Sequence, residues 1–218
     1  TVIFESIRKS ELVKLYEYNM VSRTPGRGLY DVLLVAANEQ CPFCGGVGRP
    51  QSLDHYLPKA NYPQYAVLPQ NLVPCCRDCN SGKSNSLAVI EDEQSIHPYF
   101  DDDKFFLEQW IFAKINLTFP CSLEYFPSPP EEWSEVERNR ASNHFRDFNI
   151  GGRYSVQAAS DLSALVDLRR GYLSSVSVEE FSKYLLSVSE SESYFSNHWR
   201  KIMYQTLAAN RDFYGAVL

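Results

Sequence analysis

Two Cys-x-x-Cys pairs, Cys41 with Cys44 and Cys76 with Cys79, are the residues of this chain best suited to bind a metal ion. A CxxC turn points two thiolates at one ion at about 2.3 Å, and two such turns complete the tetrahedral set that Zn²⁺ prefers. Such a site has no open position, so the zinc would be structural and its binding energy would stabilise the fold. Cys75 is an alternative to Cys76, but three residues, not two, separate it from Cys79.

Residues between and directly after these pairs have the chemistry of a hydrolytic site. Asp54 and His55 are adjacent on a predicted strand, so their side chains should point to opposite faces. A neutral imidazole can take a proton from water near pH 7. The Asp54 carboxylate and the Asn80 amide oxygen are hard ligands suited to Mg²⁺ or Mn²⁺. Asn80 directly follows Cys79, so a structural zinc would position a catalytic ligand one residue away.

The block from Cys41 to Asn85 reads CPFCG, then LDHYLPK, then NLVPCCRDCNSGKSN, and it resembles the zinc-containing HNH endonucleases of the His-Me finger (ββα-metal) group. The resemblance implies that His55 is the general base and that Asn71 braces the loop and orients His55. It implies that Asp54 and Asn80 bind the single catalytic Mg²⁺ or Mn²⁺ ion. It also implies a structural zinc set of Cys41, Cys44, Cys76 and Cys79, with phosphate contacts from Lys59 and Lys83.

In the mechanism that the resemblance implies, His55 deprotonates a water molecule that attacks the scissile phosphate in line. The cation stabilises the developing charge and the departing 3′ oxygen. DNA, the favoured substrate, would keep a 5′ phosphate and a 3′ hydroxyl. The layout is also similar to the HNH subunit of Septu-type bacterial anti-phage systems, which pairs with a larger ABC/SMC-like ATPase and sometimes accompanies a retron. This similarity implies a defence effector nuclease in the bacterial cytoplasm.

The charge distribution also indicates a partner. A net charge of −6 is unexpected for a protein that must approach nucleic acid. Residues 41–85 carry four basic residues against two acidic ones, whereas residues 86–132 carry two lysines against ten acidic residues. We therefore expect the motif block to cut a phosphodiester but to hold nucleic acid weakly without positive surface from another protein.

The elements that must position the candidate residues are two short strands and a helix. We expect strands around Ser52–Tyr56 and Ala66–Val73, with a loop over Pro58–Pro63 between them. A helix should run from Asp78 to about Val89 and carry Asn80 in its first turn. Apolar spacing predicts helices elsewhere, and four prolines predict an extended loop over 119–132. The predicted helices outside the motif are residues 5–21, Leu29–Asn38, Lys104–Leu117 and most of Trp133–Tyr214.

We therefore predict a mainly α fold with a small ββα-metal (HNH), zinc-stapled core and helical N-terminal and C-terminal regions packed around it. The predicted segments are N-terminal helices at 1–40, the HNH core at 41–90, an acidic and proline-rich connector at 91–132, and a helical region at 133–218.

Composition excludes several other classes of protein. Five of the six cysteines fall within the motif block, which favours metal binding in a reducing cytosol over a disulfide framework. We find no run of about 18 apolar residues, so no membrane span is expected. Three glutamates within residues 1–20 argue against a signal peptide.

Two other functions are compatible with the same residues. The chemistry acts on the phosphate, so the motif does not separate DNA cleavage from RNA cleavage, for example of tRNA. A catalytically silent zinc scaffold or binding module would have the same fold. Outside the motif, His97, His144, His198 and Cys121 are interpreted as packed structural residues.

Overall fold

About half of the described chain is helical, and its strands form small two-stranded sheets. The computed structural model describes residues 2–4, 6–83, 90–118 and 120–215. The chain divides into two compact units, Thr1–Asp101 and Asp102–Leu218. No helix in the described ranges combines the length and hydropathy that a membrane crossing requires.

The first unit begins with a short hairpin and two helices. Strands β1 (Val2–Phe4) and β2 (Ile7–Arg8) pair antiparallel, so the predicted helix over 5–21 begins only at Lys9. Helix α1 (Lys9–Lys14) continues as a π-helical stretch over Leu15–Met20, and α2 spans Gly26–Val35. The π-helical turn widens the helix at the point where Tyr16 turns into the core.

The candidate residues lie on a strand pair and a short helix that follow. Strands β3 (Ser52–His55) and β4 (Leu72–Cys75) are antiparallel, with His55 opposite Leu72. The second strand begins later than predicted, because prolines start 3₁₀ turns at Pro63–Tyr65 and Pro69–Asn71. Helix α3 spans Arg77–Gly82. The rest of the predicted helix, Ser84–Val89, and the last motif residue, Asn85, lie outside the described residues.

The core of the first unit joins the N-terminal helices to the strand pair. Its buried members come from α2, the π-helical stretch, both strands and the loop between the strands: Tyr16, Met20, Tyr30, Leu53, Ala66 and Leu72. The chain before the first cysteine pair therefore supports β3 directly, which places a helical wall beside the candidate site.

The second unit contains a hairpin where a helix and a loop were predicted. After a short helix α4 (Lys104–Leu107), strand β5 (Ile111–Asn116) pairs antiparallel with β6 (Ser122–Pro127). The helix predicted over Lys104–Leu117 and the loop over 119–132 are therefore wrong. Exposure alternates along both strands, with the period of two that a half-buried strand has. A cross-strand ion pair of 3.1 Å joins Lys114 to Glu124.

Helices complete the second unit, as the apolar stripes predict. They are α5 (Glu135–Asp147), α6 (Ile150–Arg170), α7 (Val178–Ser189), α8 (Trp199–Ala209) and α9 (Arg211–Gly215). Helix α6 packs on β6, and α8 packs on β5 and α7. The buried Asn197 amide holds the start of β5, because its Oδ1 accepts from the amides of Trp110 and Ile111 at 2.9 and 3.0 Å.

Candidate functional site

Four buried cysteines of the first unit come together into a cluster that could bind structural zinc. The ligand atoms of Cys41, Cys44, Cys76 and Cys79 all lie within 4.8 Å of one another, and the Sγ atoms of Cys44 and Cys76 are 4.0 Å apart. Four sulfurs at about 2.3 Å from one tetrahedral ion would be about 3.8 Å apart. The cluster is therefore close to the size that a zinc ion requires.

The backbone around the cluster is arranged to stabilise thiolates. The amide of Cys76 donates to Sγ of Cys41, and the amide of Gly48 donates to Sγ of Cys44, both at 3.4 Å. Donors of this kind orient metal ligands and offset their negative charge. Gly45 and Gly46 adopt positive φ angles of 57° and 80°, which let the chain turn tightly after the first pair.

Cys75 and Cys121 lie outside this cluster. Cys75 is buried at the end of β4, and its thiol contacts the carbonyl oxygen of Cys76 at 3.4 Å. Cys121 belongs to the second unit and contacts the carbonyl oxygen of Leu117 at 3.8 Å. The choice of Cys76 over Cys75 agrees with the observed cluster.

His55 is buried at the end of β3 and is held by one ring nitrogen. Its Nε2 atom is 2.9 Å from the carbonyl oxygen of Ala66. A carbonyl can only accept, so Nε2 carries the proton and Nδ1 carries the lone pair. Within the described residues, no hydrogen bond reaches Nδ1. Burial lowers the pKa of His55, with a smaller contribution from Lys59, so the imidazole is neutral at pH 7.

Asp54 forms an ion pair with Lys83 inside the same region. The Nζ atom of Lys83 is 3.0 Å from Oδ2 of Asp54, and it donates a second bond of 3.0 Å to the carbonyl oxygen of His55. Only 16% of the Asp54 side chain and 14% of the Lys83 side chain are exposed. Lys83, predicted to contact phosphate, thus points inward onto a candidate metal ligand.

Asn80 lies on α3 beside the same strand. Its Nδ2 atom donates to Oγ of Ser52 at 3.4 Å, which leaves Oδ1 to act as an oxygen ligand. The helix carries both Cys79 and Asn80, so the cysteine cluster fixes the position of this amide. Oxygen donors from Asp54 and Asn80 are the donor type that Mg²⁺ and Mn²⁺ prefer.

Asn71 is almost fully buried and closes the loop that follows His55. Its Oδ1 atom accepts from the Leu57 amide at 2.7 Å, and its Nδ2 atom donates to the carbonyl oxygens of Leu57 and Tyr65 at 3.1 and 3.2 Å. Its own carbonyl oxygen accepts from the Tyr56 amide at 2.8 Å. These bonds join the backbone that directly follows His55 to Asn71, the residue directly before β4.

A cleft of about 600 Å³ is lined by Asp54, His55, Asn80 and Lys83 together. Lys59 also lines it, and its Nζ atom is paired at 2.9 Å with Glu17. A cleft of this size can admit a backbone phosphate and its flanking sugars. The structure thus brings the candidate hydrolytic residues and both candidate phosphate-binding lysines to one place.

The N-terminal helices also contribute to this cleft, which the motif and its spacing do not indicate. Tyr16 packs edge-on against His55, and its hydroxyl donates to the Leu53 carbonyl oxygen at 3.2 Å. The hydroxyl of Tyr30 accepts from the Leu53 amide at 3.1 Å. Burial strongly raises the pKa of Tyr16, so its hydroxyl stays protonated. Tyr16 lies within the helix predicted over residues 5–21, but the apolar spacing of that helix does not indicate which residue Tyr16 contacts.

The remaining histidines have packed surroundings. The His97 ring packs against the ring of Tyr56 in the first unit at a tilted angle, and its Nδ1 atom accepts from the Tyr99 amide at 3.1 Å. His144 packs against Phe148 on α5, and Nδ1 of His198 accepts from the Arg200 amide at the start of α8. Their geometry agrees with the structural interpretation.

Comparison with known proteins places the chain in a phage family. It is 37% identical over 234 aligned positions to protein ea31 of Escherichia phage lambda, and the match covers 100% of this chain and 78% of ea31. This chain belongs to the ea31 family. No family model and no solved structure matches it. The name ea31 carries no function.

Proposed function

We propose that this ea31 relative is a metal-dependent endonuclease of the HNH type that hydrolyses phosphodiester bonds in nucleic acid, with DNA as the favoured substrate. One observation carries the proposal: a single cleft is lined by a neutral histidine whose Nδ1 receives no hydrogen bond from the described residues, by a pair of candidate oxygen ligands and by two lysines. The neighbouring cysteine cluster supports a zinc site that holds α3, and with it Asn80, in place.

Each candidate residue would have a separate role in the reaction. Nδ1 of His55 accepts a proton from the attacking water, while the bond from Nε2 to Ala66 keeps the ring in the required tautomer. Asp54 and Asn80 would hold a Mg²⁺ or Mn²⁺ ion, which when bound supplies electrostatic stabilisation of the phosphorane charge. Asn71 holds the loop after His55, and Lys59 faces the substrate phosphates.

The test is cleavage of supercoiled plasmid DNA and of tRNA by the zinc-loaded full chain, with and without added Mg²⁺ or Mn²⁺. We expect weak cleavage by the chain alone that needs the added cation, and we expect His55→Ala to reduce it by about 100-fold or more. Asp54→Asn should also inactivate, whereas Asp31→Asn on the exposed face of α2 should not. If the wild type, His55→Ala and Asp54→Asn all have the same activity, a silent zinc scaffold is the better description.

A second protein is also part of the proposal, on the basis of charge. The chain carries −6 overall, so its cleft can bind one phosphate but the molecule repels the rest of a nucleic acid. We infer a larger partner that supplies positive surface, of the ABC/SMC-like ATPase class that accompanies Septu-type nucleases in anti-phage defence. Robust cleavage by the chain alone at physiological salt would contradict an obligate partner, and cleavage of tRNA but not plasmid would make the substrate RNA.

A further inference from the structure

The side chain of Lys83 is paired inside the cleft, whereas a surface lysine that contacts phosphate would point outward. Its ammonium group is held by a carboxylate oxygen of Asp54 and by the carbonyl oxygen of His55, each at 3.0 Å. The group also lies over the rings of Phe43 and Tyr56, with Nζ to centroid distances of 5.4 and 4.9 Å. Burial lowers the pKa of Lys83, and the neighbouring Asp54 opposes this effect.

One of the two oxygen donors that hold this ammonium, the Asp54 carboxylate, is also a ligand of the proposed divalent cation. A cation bound to Asp54 and a lysine ammonium at 3.0 Å from the same carboxylate would repel each other strongly in a half-buried site. The ammonium and the divalent cation cannot both neutralise Asp54 from the same position. The Lys83 ammonium thus occupies the position of a cation beside Asp54. The cleft accommodates a positive charge next to β3.

We propose that Lys83 and the catalytic divalent cation compete for Asp54, so that binding of the cation releases Lys83 from the carboxylate. The inference rests on the proposed function, because it takes Asp54 as a ligand of that cation. The released ammonium lies on the chain segment that leaves α3 at Gly82, beside the cleft, where it can reach a substrate phosphate. Without the cation, Lys83 keeps Asp54 paired and the site closed to other cations.

The first test measures Mn²⁺ binding to the zinc-loaded full chain by calorimetric titration. Lys83→Met removes the competing charge and keeps the length of the side chain, so it should bind Mn²⁺ about tenfold more tightly than the wild type. Lys59→Met is the matched control, since Lys59 lines the same cleft but pairs with Glu17, and it should change the affinity by less than about threefold. Asp54→Asn should lose the site in either background.

The second test follows Lys83 directly in the wild-type chain by acetic anhydride labelling and mass spectrometry. Labelling of Lys83 should increase at least about threefold when Mn²⁺ is added, because the buried ion pair is broken, while labelling of Lys14 on α1 should not change. This test does not depend on whether the Lys83→Met variant folds. The zinc content of the variant shows whether it does, and Lys83→Gln replaces it if zinc is lost.

The outcomes separate the two proposals. Tighter Mn²⁺ binding by Lys83→Met and increased labelling of Lys83 support competition. Equal affinity in wild type and Lys83→Met, with binding lost in Asp54→Asn, overturns competition but leaves the metal site of the proposed nuclease intact. Mn²⁺ binding that is the same in Asp54→Asn as in wild type overturns both, since Asp54 is then not a ligand.

Discussion

The ring of Tyr16 packs edge-on against the imidazole of His55, with the ring centroids 4.3 Å apart. Tyr16 comes from the π-helical stretch of the N-terminal helix, whereas His55 ends β3. The Tyr16 hydroxyl donates to the carbonyl oxygen of Leu53, two residues before the histidine. One side chain from outside the motif therefore limits how the candidate base can tilt and holds the strand that carries it.

We predict that Tyr16→Phe keeps the packing against His55 and loses only the hydroxyl bond. The first unit should be destabilised by about 0.5–1.5 kcal/mol, and nuclease activity should stay within about threefold of wild type. Tyr16→Ala also removes the ring, and it should cost about 3–5 kcal/mol and reduce activity at temperatures where the protein is still folded. Denaturant unfolding followed by release of zinc to a chromophoric chelator measures the first unit. Equal effects of both substitutions would contradict a packing role.

Removal of a zinc ligand should unfold the first unit and leave the second folded. Cys79→Ser should lose bound zinc, because it removes one of the four thiolates of the cluster, and zinc binding stabilises the fold of this unit. The matched change Cys75→Ser should keep one zinc per chain. All three tryptophans, Trp110, Trp133 and Trp199, lie in the second unit, so tryptophan fluorescence reports on that unit alone. Loss of zinc in Cys75→Ser but not in Cys76→Ser would reverse the assignment of the ligand.

Asn71→Ala should destabilise the first unit by about 2–4 kcal/mol, because it removes three part-buried hydrogen bonds of a side chain that is itself almost fully buried, to backbone groups of Leu57 and Tyr65. Asn61→Ala, in the exposed loop between the strands, is the control and should cost less than about 0.5 kcal/mol. Zinc release under denaturant again gives the measurement. If Asn71→Ala lowers the free energy of unfolding by less than about 1 kcal/mol, water replaces the lost hydrogen-bond partners with little loss of stability.

The stability of the second unit should fall in acid partly through His198. Burial lowers the pKa of His198 to about 4, and the charge of Arg200 acts in the same direction. The unfolded state therefore binds the proton first, so the stabilisation is present above about pH 6.5 and is lost as the pH falls toward 4. His198→Asn keeps an acceptor at the start of α8 but does not titrate.

The measurement is denaturant unfolding at pH 7 and pH 4, followed by tryptophan fluorescence. The wild type should lose on the order of 1 kcal/mol more than His198→Asn, a figure reduced for the partial exposure of the ring. Carboxylates titrate in both proteins, so the comparison isolates the histidine. An equal loss in both proteins would show that His198 keeps its ordinary pKa.

Some features could be predicted from the sequence because they depend on neighbours along the chain. A spacing of two residues is enough to make each cysteine pair a ligand turn, and the zinc set follows from two such turns. The apolar stripes of α6, α7 and α8 depend equally on local spacing. The hairpin of β5 and β6 was missed because the sequence of β5 was interpreted with a helical period. Its stability comes from cross-strand pairs such as Phe112 with Phe126, which the order of residues does not display.

The sequence by itself determined which groups are available for chemistry in one block: four cysteines, a histidine, two candidate oxygen ligands and two lysines. Only the tertiary structure decided how they are paired. Lys83 contacts Asp54 across 29 positions, and Tyr16 contacts Leu53 across 37. Such contacts depend on how β3, α3 and the N-terminal helix pack together. Spacing along the chain constrains local geometry, whereas burial and packing choose the partner of each charge.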